Sequence, residues 1–338
     1  MNTQPDATLV LDYIHAFRSS KIMFTAVQLG IFDELHKAPQ TSAKLASKLK
    51  LDPLATQRLL DACVALRLLD RDDGIYQNTA AATRYLVSSS PQTLSDYIRY
   101  SDRSLYRLWT HLDDAVREGT NRWEQAFGSK DALFDYYYRD PDAMADFLRG
   151  MHGFGQLSSS KIVRVFDLSR FAQLADLGGG TGHLAIAACE AYPNLQATVV
   201  DLPRIEVVTR EYLEHSPVRD RISFVARDFF ADPLPPADLY SLGRILHDWD
   251  DERIHRLLQK IYAALPSGGG LLIAEALLDD NRTGPPYAYM QDVNMLVCTE
   301  GRERTSTDYR TLLESAGFVE VRSQRTGSVL DALLSLKS

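Results

Sequence analysis

The spacing of apolar positions changes along the chain. Up to about residue 99 they recur at helical intervals, and two apolar stripes between Ile14 and Phe32 break at Gly30. After residue 170, short apolar runs alternate with amphipathic helices, which predicts an α/β fold with a parallel sheet covered on both faces.

The segment between these two parts, residues 101–170, is also predicted to be helical. It is rich in aromatic residues, some of which could line a binding pocket. Pro141 and the glycines within 150–155 are expected to punctuate the connection into the second part.

The most informative stretch is residues 174–201. It holds Asp176, four glycines within five positions, a helical pattern and a second apolar run that ends on Asp201. A strand, tight turn and helix of this kind offers backbone N–H groups to a negative group. An acid at the tip of the second strand can accept both hydroxyls of a ribose. The stretch therefore predicts a nucleoside ligand with an extended tail.

Two nucleoside ligands fit the glycines. Gly180, Gly182 and Ala185 satisfy the dinucleotide pattern G-x-G-x-x-A, which leaves NAD open. Asp176 would repel a pyrophosphate but could help to hold the amino group of an amino-acid tail. From Asp176 to Gly182, the form D-x-G-x-G-x-G resembles motif I of class I S-adenosylmethionine (SAM) methyltransferases. A glycine-rich turn without a ligand is the remaining alternative.

Residues 41–79 form a second recognisable pattern. Two short predicted helices are followed by a turn and a small strand, which is typical of a winged helix and raises the question of DNA binding. The second helix carries Arg58 and Arg67 against Asp61 and Asp70, so its charges cancel. Because a surface that follows phosphates needs a basic excess, we favour a structural or dimerisation role.

Composition narrows the possible partners and compartments. The 338 residues carry a net charge of −8, which gives no support for a nucleic-acid partner. There is no apolar run of membrane-spanning length and no signal-peptide pattern, so no membrane partner is expected. Three scattered cysteines suit a reducing compartment and form no metal-ligand cluster. We expect a cytoplasmic protein without a metal.

The end of the chain distinguishes between nucleotide-binding folds. The last two predicted strands meet around Gly327, too close together for a helical crossover, so they should form an antiparallel hairpin at the sheet edge. That ending is typical of the class I methyltransferase Rossmann-like sheet and unusual for a NAD-binding domain.

Several motifs in the second half agree in order and spacing. The sequence RILHDW at 244–249, Glu275 in a strand, and the run NMLVCTEGRERT at 294–305 resemble the plant-type small-molecule O-methyltransferase family. The resemblance covers nearly the whole chain. It implies a winged-helix-like dimerisation domain over 1–100, a helical connector contributing to the acceptor pocket over 101–170, and a SAM-binding catalytic domain over 171–338. It also implies a homodimer.

The catalytic hypothesis centres on His247, which directly follows the fourth predicted strand. Ligands of open α/β folds bind at that end of the sheet. A phenol is mostly protonated at neutral pH, so a positioned histidine could accelerate methyl transfer by removing its proton. The resemblance implies that Glu275 and Glu303 flank the imidazole and stabilise its charged form. A strand-end histidine that caps the next helix is the alternative.

The resemblance and the glycine motif also suggest binding residues. The predicted cofactor residues are Tyr138, Asp176, Gly178, Gly180, Asp201 (ribose), Asp228 (adenine amino group), Phe229 (adenine ring) and Arg244. The predicted acceptor residues are Phe134, Asp248, Met290, Asn294 and Cys298.

Two positions depart from the family pattern. Arg227 stands where a glycine is usual, which alters the backbone near adenine. Cys298 replaces a glutamine expected to hydrogen-bond an N-acetyl group of the acceptor, and a thiol is a shorter and weaker donor.

These observations predict a SAM-dependent O-methyltransferase that acts on a hydroxyl of a small aromatic acceptor, of the phenolic or indole kind. Transfer to a sulfur or to a non-aromatic acceptor is an alternative, and it would not require His247. A non-catalytic SAM-binding or DNA-binding regulator is a second alternative, against which the retention of His247, Glu275 and Glu303 argues.

Overall fold

The computed structural model describes residues 6–128 and 141–338. The chain divides into two compact units, one ending at Ser104 and one spanning Leu105–Ser338. Phe134 and Tyr138 lie outside the described residues. The separate connector over 101–170 stays a prediction.

The first unit is mainly helical. Its elements are α1 (Thr8–Gln28), α2 (Ile31–Lys37), β1 (Gln40–Thr41), α3 (Ser42–Leu49), α4 (Pro53–Ala65), β2 (Leu69–Asp72), β3 (Ile75–Asn78), α5 (Ala80–Tyr85) and α6 (Ser95–Tyr100), followed by a π-helical turn at Ser101–Leu105. Side chains cap two of these helices: Thr41 accepts the backbone N–H of Lys44 at the start of α3, and Asp52 accepts that of Ala55 at the start of α4. Strands β2 and β3 form an antiparallel hairpin, and β1 pairs with β3.

Helix α1 presents a row of apolar side chains to solvent. Their exposed fractions lie between 49 and 74% for Leu9, Val10, Leu11, Tyr13, Ile14 and Phe17. Further along the same helix, Ala26 and Val27 are buried in the unit's core. The first half of α1 is therefore an apolar surface that the fold of this unit leaves uncovered.

The second unit alternates helices and strands. Its elements are α7 (Tyr106–Trp109), α8 (Leu112–Glu118), α9 (Trp123–Phe127), α10 (Pro141–Val165), β4 (Gln173–Leu177), α11 (His183–Ala191), β5 (Gln196–Asp201), α12 (Glu206–Glu214), β6 (Ile222–Ala226), β7 (Leu239–Gly243), α13 (Asp251–Ala264), β8 (Gly270–Glu275), α14 (Pro286–Cys298), α15 (Ser306–Ser315), β9 (Val319–Gln324) and β10 (Asp331–Leu336). Short 3-10 turns cover Pro203–Ile205, Arg219–Arg221 and Leu246–Asp248.

These strands form one seven-stranded sheet in the order β6-β5-β4-β7-β8-β10-β9. Strands β4 to β8 are parallel, and β10 runs antiparallel to both β8 and β9. The predicted α/β class and C-terminal antiparallel hairpin are confirmed. Strand order reverses at β4, so the loops after β4 and β7 diverge and open a crevice at the carboxyl edge of the sheet.

Helix α10 differs from expectation. The glycines within 150–155 do not interrupt it, and the helix continues from Pro141 to Val165. At Gly155 the reason is steric, because a Cβ atom there would lie 2.4 Å from the imidazole of His183. This glycine gives room to a neighbouring side chain and does not mark a turn.

Among the described helices, none combines the length and the apolar character needed to cross a lipid bilayer.

Candidate active site

Most predicted site residues lie at the carboxyl ends of neighbouring parallel strands. Asp176 lies in β4, Asp201 ends β5, Asp228 follows β6 and Glu275 ends β8. Arg244 directly follows β7, with its backbone in the left-handed region at φ 57°. Adjacent carboxyl ends meet at one edge of a sheet, so these side chains border the same crevice.

The glycine-rich turn has the backbone that its sequence requires. Gly178, Gly180 and Gly182 adopt φ values of 67, 54 and 78°, a region that side chains other than glycine rarely enter. At Gly178 a Cβ atom would also lie 2.4 Å from Ile245 and 3.3 Å from the ring of Phe229. The turn thus brings the bare backbone close to the predicted adenine-stacking ring.

Asp201 supports this turn directly. Its Oδ2 accepts the backbone N–H of Gly180 at 2.9 Å, and its Oδ1 accepts that of Leu202 at 2.7 Å. Burial raises the pKa of Asp201 to about 6 despite these two hydrogen bonds. Each oxygen keeps a further lone pair, which a ribose hydroxyl could use.

Asp176 lies beneath the turn and is almost fully buried. Its Oδ1 accepts the Ser241 hydroxyl at 2.6 Å, and its Oδ2 would be 2.6 Å from a Cβ atom on Gly179. Burial raises the pKa of Asp176 to about 7, and the charge of Asp201 adds to the shift. The carboxylate therefore supports the underside of the turn, with Oδ2 unbonded among the described residues.

Asp228 and Phe229, the residues predicted to contact adenine, follow β6. Asp228 accepts the backbone N–H of Phe230 at 2.8 Å through Oδ1. Arg227 keeps a backbone hydrogen bond to Asp201 and sends its guanidinium to the carbonyl of Pro233. The loop thus accommodates an arginine side chain at the position where the family usually has glycine.

His247 lies in the 3-10 turn after β7 and is 3% exposed. Its Nδ1 is 2.8 Å from Oε1 of Glu303 and 3.4 Å from Oε2 of Glu275. On the other side of the ring, Nε2 is 3.7 Å from Oδ1 of Asp248. The three predicted catalytic residues are therefore together, with the acidic side chain of Asp248 beside them.

The electrostatics of this cluster favour a charged imidazole. Burial alone lowers the pKa of His247, but the negative charges of Glu275, Glu303 and Asp248 outweigh it and raise that pKa to about 9. Burial also raises the pKa of Glu275 to about 7 and that of Asp248 to about 6. A proton taken up by this ring is strongly held.

The two carboxylates are held by different elements. Oε1 of Glu275 accepts the backbone N–H groups of Ile245 and Leu246 at 3.0 and 2.9 Å, which ties β8 to the His247 loop. The backbone N–H of Glu303 donates to Asp292 at 2.9 Å. The ligating atoms of His247, Glu275 and Glu303 lie within 4.8 Å of one another, a spacing that a metal ion could also use.

The segment that leads to Glu303 passes against the loop that carries His247. A Cβ atom on Gly301 would lie 2.1 Å from the carbonyl oxygen of His247 and 2.6 Å from the carbonyl carbon of Asp248. Residue 301 therefore has to be glycine for the two backbones to approach this closely.

Helix α14 carries three of the predicted acceptor residues at four-residue intervals, so they share one face. Met290 is 58% exposed, Asn294 is half-buried and Cys298 is buried. Burial, with the charge of Asp248, raises the pKa of the Cys298 thiol well above its ordinary value. This thiol is therefore a neutral group, and the charge of Asp248 acts on it.

Two tryptophans that the sequence analysis did not single out organise this helix. Trp109 Nε1 donates to Oδ1 of Asn294 at 2.9 Å, and Trp123 Nε1 donates to the carbonyl of Cys298 at 2.7 Å. Because an indole N–H only donates, the first bond fixes the Asn294 amide with its NH₂ group directed elsewhere. The aromatic density of residues 101–170 was the only sequence signal for this role.

His152 is a further polar residue near the site that sequence reasoning missed. It lies on α10, is buried, and its Nδ1 is 2.8 Å from the hydroxyl of Thr181 in the glycine-rich turn. A histidine four residues before Gln156 in a predicted helix was the available signal, but its partner on the turn could not be read from the sequence.

Comparison with known proteins gives consistent matches. Residues 109–319 match the O-methyltransferase domain and residues 11–88 match the O-methyltransferase dimerisation domain. Acetylserotonin O-methyltransferase of Bos taurus is 42% identical over 337 residues, which cover 98% of this chain and 97% of that protein. The corresponding protein of Gallus gallus is 43% identical, with 97% of each chain covered.

Solved structures similar to this chain are also methyltransferases or carry their cofactor products. Human N-acetylserotonin methyltransferase in complex with SAM has a TM-score of 0.94 at 39% identity, with both chains covered completely. PigF with SAH has a TM-score of 0.89 at 30% identity and covers 98% of this chain and 100% of that one. These likenesses extend over nearly the entire length of the chain.

Proposed function

The chain belongs to the O-methyltransferase family, and we propose that it transfers the methyl group of SAM to a hydroxyl group of a small aromatic acceptor of the indole type. Its sheet is that of a class I methyltransferase, and SAM is the methyl donor. The observation that carries the proposal is the buried contact of His247 with Glu303 at 2.8 Å, at the edge of the sheet that also bears the glycine-rich turn.

In this mechanism the neutral imidazole of His247 accepts the acceptor's hydroxyl proton on Nε2 as the oxygen attacks the methyl carbon of the sulfonium. The bond between methyl carbon and sulfur breaks, and its electrons leave with sulfur as neutral S-adenosylhomocysteine. Glu303 and Glu275 stabilise the imidazolium from the Nδ1 side. Burial of all three side chains strengthens that stabilisation.

Proposed roles for the cofactor follow the strand ends. Asp201 holds the ribose hydroxyls, Asp228 the adenine amino group, and Phe229 packs on the adenine ring. Gly178 and Gly180 allow the backbone to approach the ligand. Asp176 lies beneath the methionine end of the crevice, and Arg244 borders it. Tyr138 belongs to the same proposed set.

The acceptor pocket is proposed to contain Phe134, Asp248, Met290, Asn294 and Cys298. The fixed Asn294 amide leaves its NH₂ group free to donate to an acceptor oxygen. Cys298 gives no comparable donor, so an N-acetyl group would be held less firmly here than by a glutamine.

Assembly and compartment complete the proposal. The match to a dimerisation domain and the apolar surface of α1 support a homodimer. The order of α3, α4 and the β2–β3 hairpin supports a winged-helix-like unit used for assembly, and we place the protein in the cytoplasm.

The decisive experiment measures S-adenosylhomocysteine release from SAM over a panel of hydroxyindoles, simple phenols, thiols and hydroxy acids. We expect turnover with a hydroxyindole or phenol, and no loss of activity after treatment with a chelator. Turnover confined to thiols would reject the oxygen acceptor. Inactivation by the chelator, with recovery on adding a metal, would reject proton transfer to an unmetallated His247.

A further inference from the structure

Helix α10 is attached to the glycine-rich turn through a buried histidine. His152 Nδ1 lies 2.8 Å from the Thr181 hydroxyl, and Thr181 stands between Gly180 and Gly182. Both side chains are buried, His152 at 8% and Thr181 at 2% exposure. Because this hydrogen bond is shielded from water, it is stronger than an exposed one and helps to hold the turn in position.

The surroundings of His152 determine its protonation state. The Gln156 amide nitrogen donates to His152 Nε2 at 2.9 Å, so the ring proton is on Nδ1 and is donated to Thr181. The ring stacks on Tyr212 of α12 with centroids 3.9 Å apart. Burial, together with nearby His183, lowers the pKa of His152 to about 3, so the ring is neutral at pH 7.

Two other side chains also support the turn. Asp201 at the end of β5 accepts the Gly180 N–H, and the Thr209 hydroxyl of α12 donates to the Gly180 carbonyl at 2.8 Å. Both act on Gly180. His152 acts on the next residue, and it connects the turn to α10.

A second contact joins α10 to the residue that directly follows the glycine-rich turn. His183, the first residue of α11, has its Nδ1 2.9 Å from the Ser159 hydroxyl on α10. Its ring occupies the space where a Cβ atom of Gly155 would lie, at 2.4 Å. The same stretch of α10 contacts Arg244, whose Nη1 is 3.2 Å from Met151 Sδ. One segment of α10 thus borders both the turn and a predicted cofactor residue.

We propose that His152 and His183 form a clamp from α10 that holds the glycine-rich turn in the shape that binds SAM, and that they are positioning residues for the cofactor. The inference rests on the proposed function. Neither residue is near the proton-transfer cluster in the sequence or in its contacts. The clamp therefore governs affinity for SAM and S-adenosylhomocysteine, while the rate of methyl transfer with bound cofactor stays the same.

Two substitutions at His152 separate its contacts. H152F keeps an aromatic ring against Tyr212 and loses the bond to Thr181, whereas H152N keeps a donor at the Nδ1 position and loses the ring. Calorimetry with S-adenosylhomocysteine should give about 10-fold weaker binding for H152F, the effect of one lost buried hydrogen bond that leaves its partner unsatisfied. H152N should stay within about threefold of wild type. The exposed His215→Phe is the matched control, because His215 directly follows the helix that carries Tyr212.

Thr181→Val tests the other end of the bond with almost unchanged side-chain shape. It should reproduce the loss in H152F, and the double variant should be no worse than either, because both remove one interaction. In turnover assays KM for SAM should rise with the dissociation constant, and kcat at saturating SAM should stay within about twofold. A general loss of folding would instead lower the active fraction and kcat together.

Gly155→Ala tests the second contact, because its methyl group would displace the His183 ring. Gly155→Ala should weaken S-adenosylhomocysteine binding, and the double variant Gly155→Ala, His183→Ala should bind like His183→Ala alone. Wild-type affinity in H152F, T181V and Gly155→Ala would overturn the clamp. A wild-type protein that binds neither SAM nor S-adenosylhomocysteine would overturn the proposed function, and the clamp with it.

Discussion

The Nδ1 atom of His247 lies 2.8 Å from the Oε1 atom of Glu303, and this contact directs the opposite ring nitrogen toward Asp248. The geometry divides the imidazole into two sides. One nitrogen faces fixed carboxylates that stabilise positive charge, and the proposed function assigns to the other the exchange of a proton with an acceptor. The following predictions depend on this division or on the crevice beside it.

Replacing His247 by alanine should lower kcat by ~10²–10⁴-fold, the range of positioned general-base catalysis. Affinity for SAM should hardly change. The loss should shrink as pH rises with a phenolic acceptor, because solvent then supplies the phenolate. Steady-state kinetics between pH 7 and 10 would measure this, and near-wild-type kcat at pH 7 would contradict a general base.

The pH dependence of the wild-type enzyme follows from the raised pKa of His247. With that pKa at about 9, the free enzyme at pH 7 holds its ring mostly protonated, and only the neutral ring can accept a proton. The ratio kcat/KM should therefore rise about tenfold per pH unit below that pKa and level off above it. A profile that is flat from pH 6 to 9 would be inconsistent with this.

Glu303→Gln should move that profile to lower pH. The amide keeps a hydrogen-bond acceptor toward Nδ1 but removes a charge that raises the pKa of His247. The maximum rate should fall, and by less than in His247→Ala, because the imidazolium is less stabilised. The loss in the double variant should not be the sum of the two single losses. An unchanged profile would show that Glu303 has no electrostatic role.

Asp201→Ala should weaken SAM binding by ~1.5–3 kcal/mol through the loss of charged hydrogen bonds. The structure adds a second cause, because the Gly180 N–H loses its partner in the same change. Asp220→Ala, an exposed acid that precedes β6, is a suitable control. Calorimetry with SAM and NAD provides the measurement. Tight NAD binding, or unaltered SAM binding, would refute the assignment.

Cys298→Gln should improve the use of an N-acetylated hydroxyindole. An amide at this position restores a donor one turn beyond Asn294, worth about 1 kcal/mol or a several-fold lower KM. Cys298→Ala should leave KM for that acceptor close to the wild-type value, because the thiol is a weak donor. Equal KM values for the wild type, Cys298→Gln and Cys298→Ala would contradict a place for Cys298 in the acceptor pocket.

The sequence predicted the sheet more completely than the site. The strand, glycine turn and helix around Asp176 were identified because backbone conformation and charge spacing there are local properties. The antiparallel ending followed from the short connection at Gly327. In contrast, the indole bonds from Trp109 and Trp123 to α14 join residues 185 and 175 positions apart. Such contacts depend on how helices pack, which periodicity does not specify.

Gly155 illustrates the same limit. As a letter in a sequence, a glycine near other glycines indicates a break in a helix. In the folded chain, the missing side chain of Gly155 leaves room for the His183 ring, and the helix continues. The sequence does not reveal this role, because the side chain that requires a glycine at position 155 lies 28 positions further along the chain.

The glycine at position 301 limits how the candidate active site can move and how it can diversify. Because the backbone of residue 301 lies against the carbonyl of His247, we expect the His247 loop and the segment that leads to Glu303 to move as one body. Opening of the crevice to admit an acceptor would then come from elements outside this pair. Under the proposed function, new acceptor preferences would arise by substitution along α14, while the proposed proton-transfer residues stay unchanged.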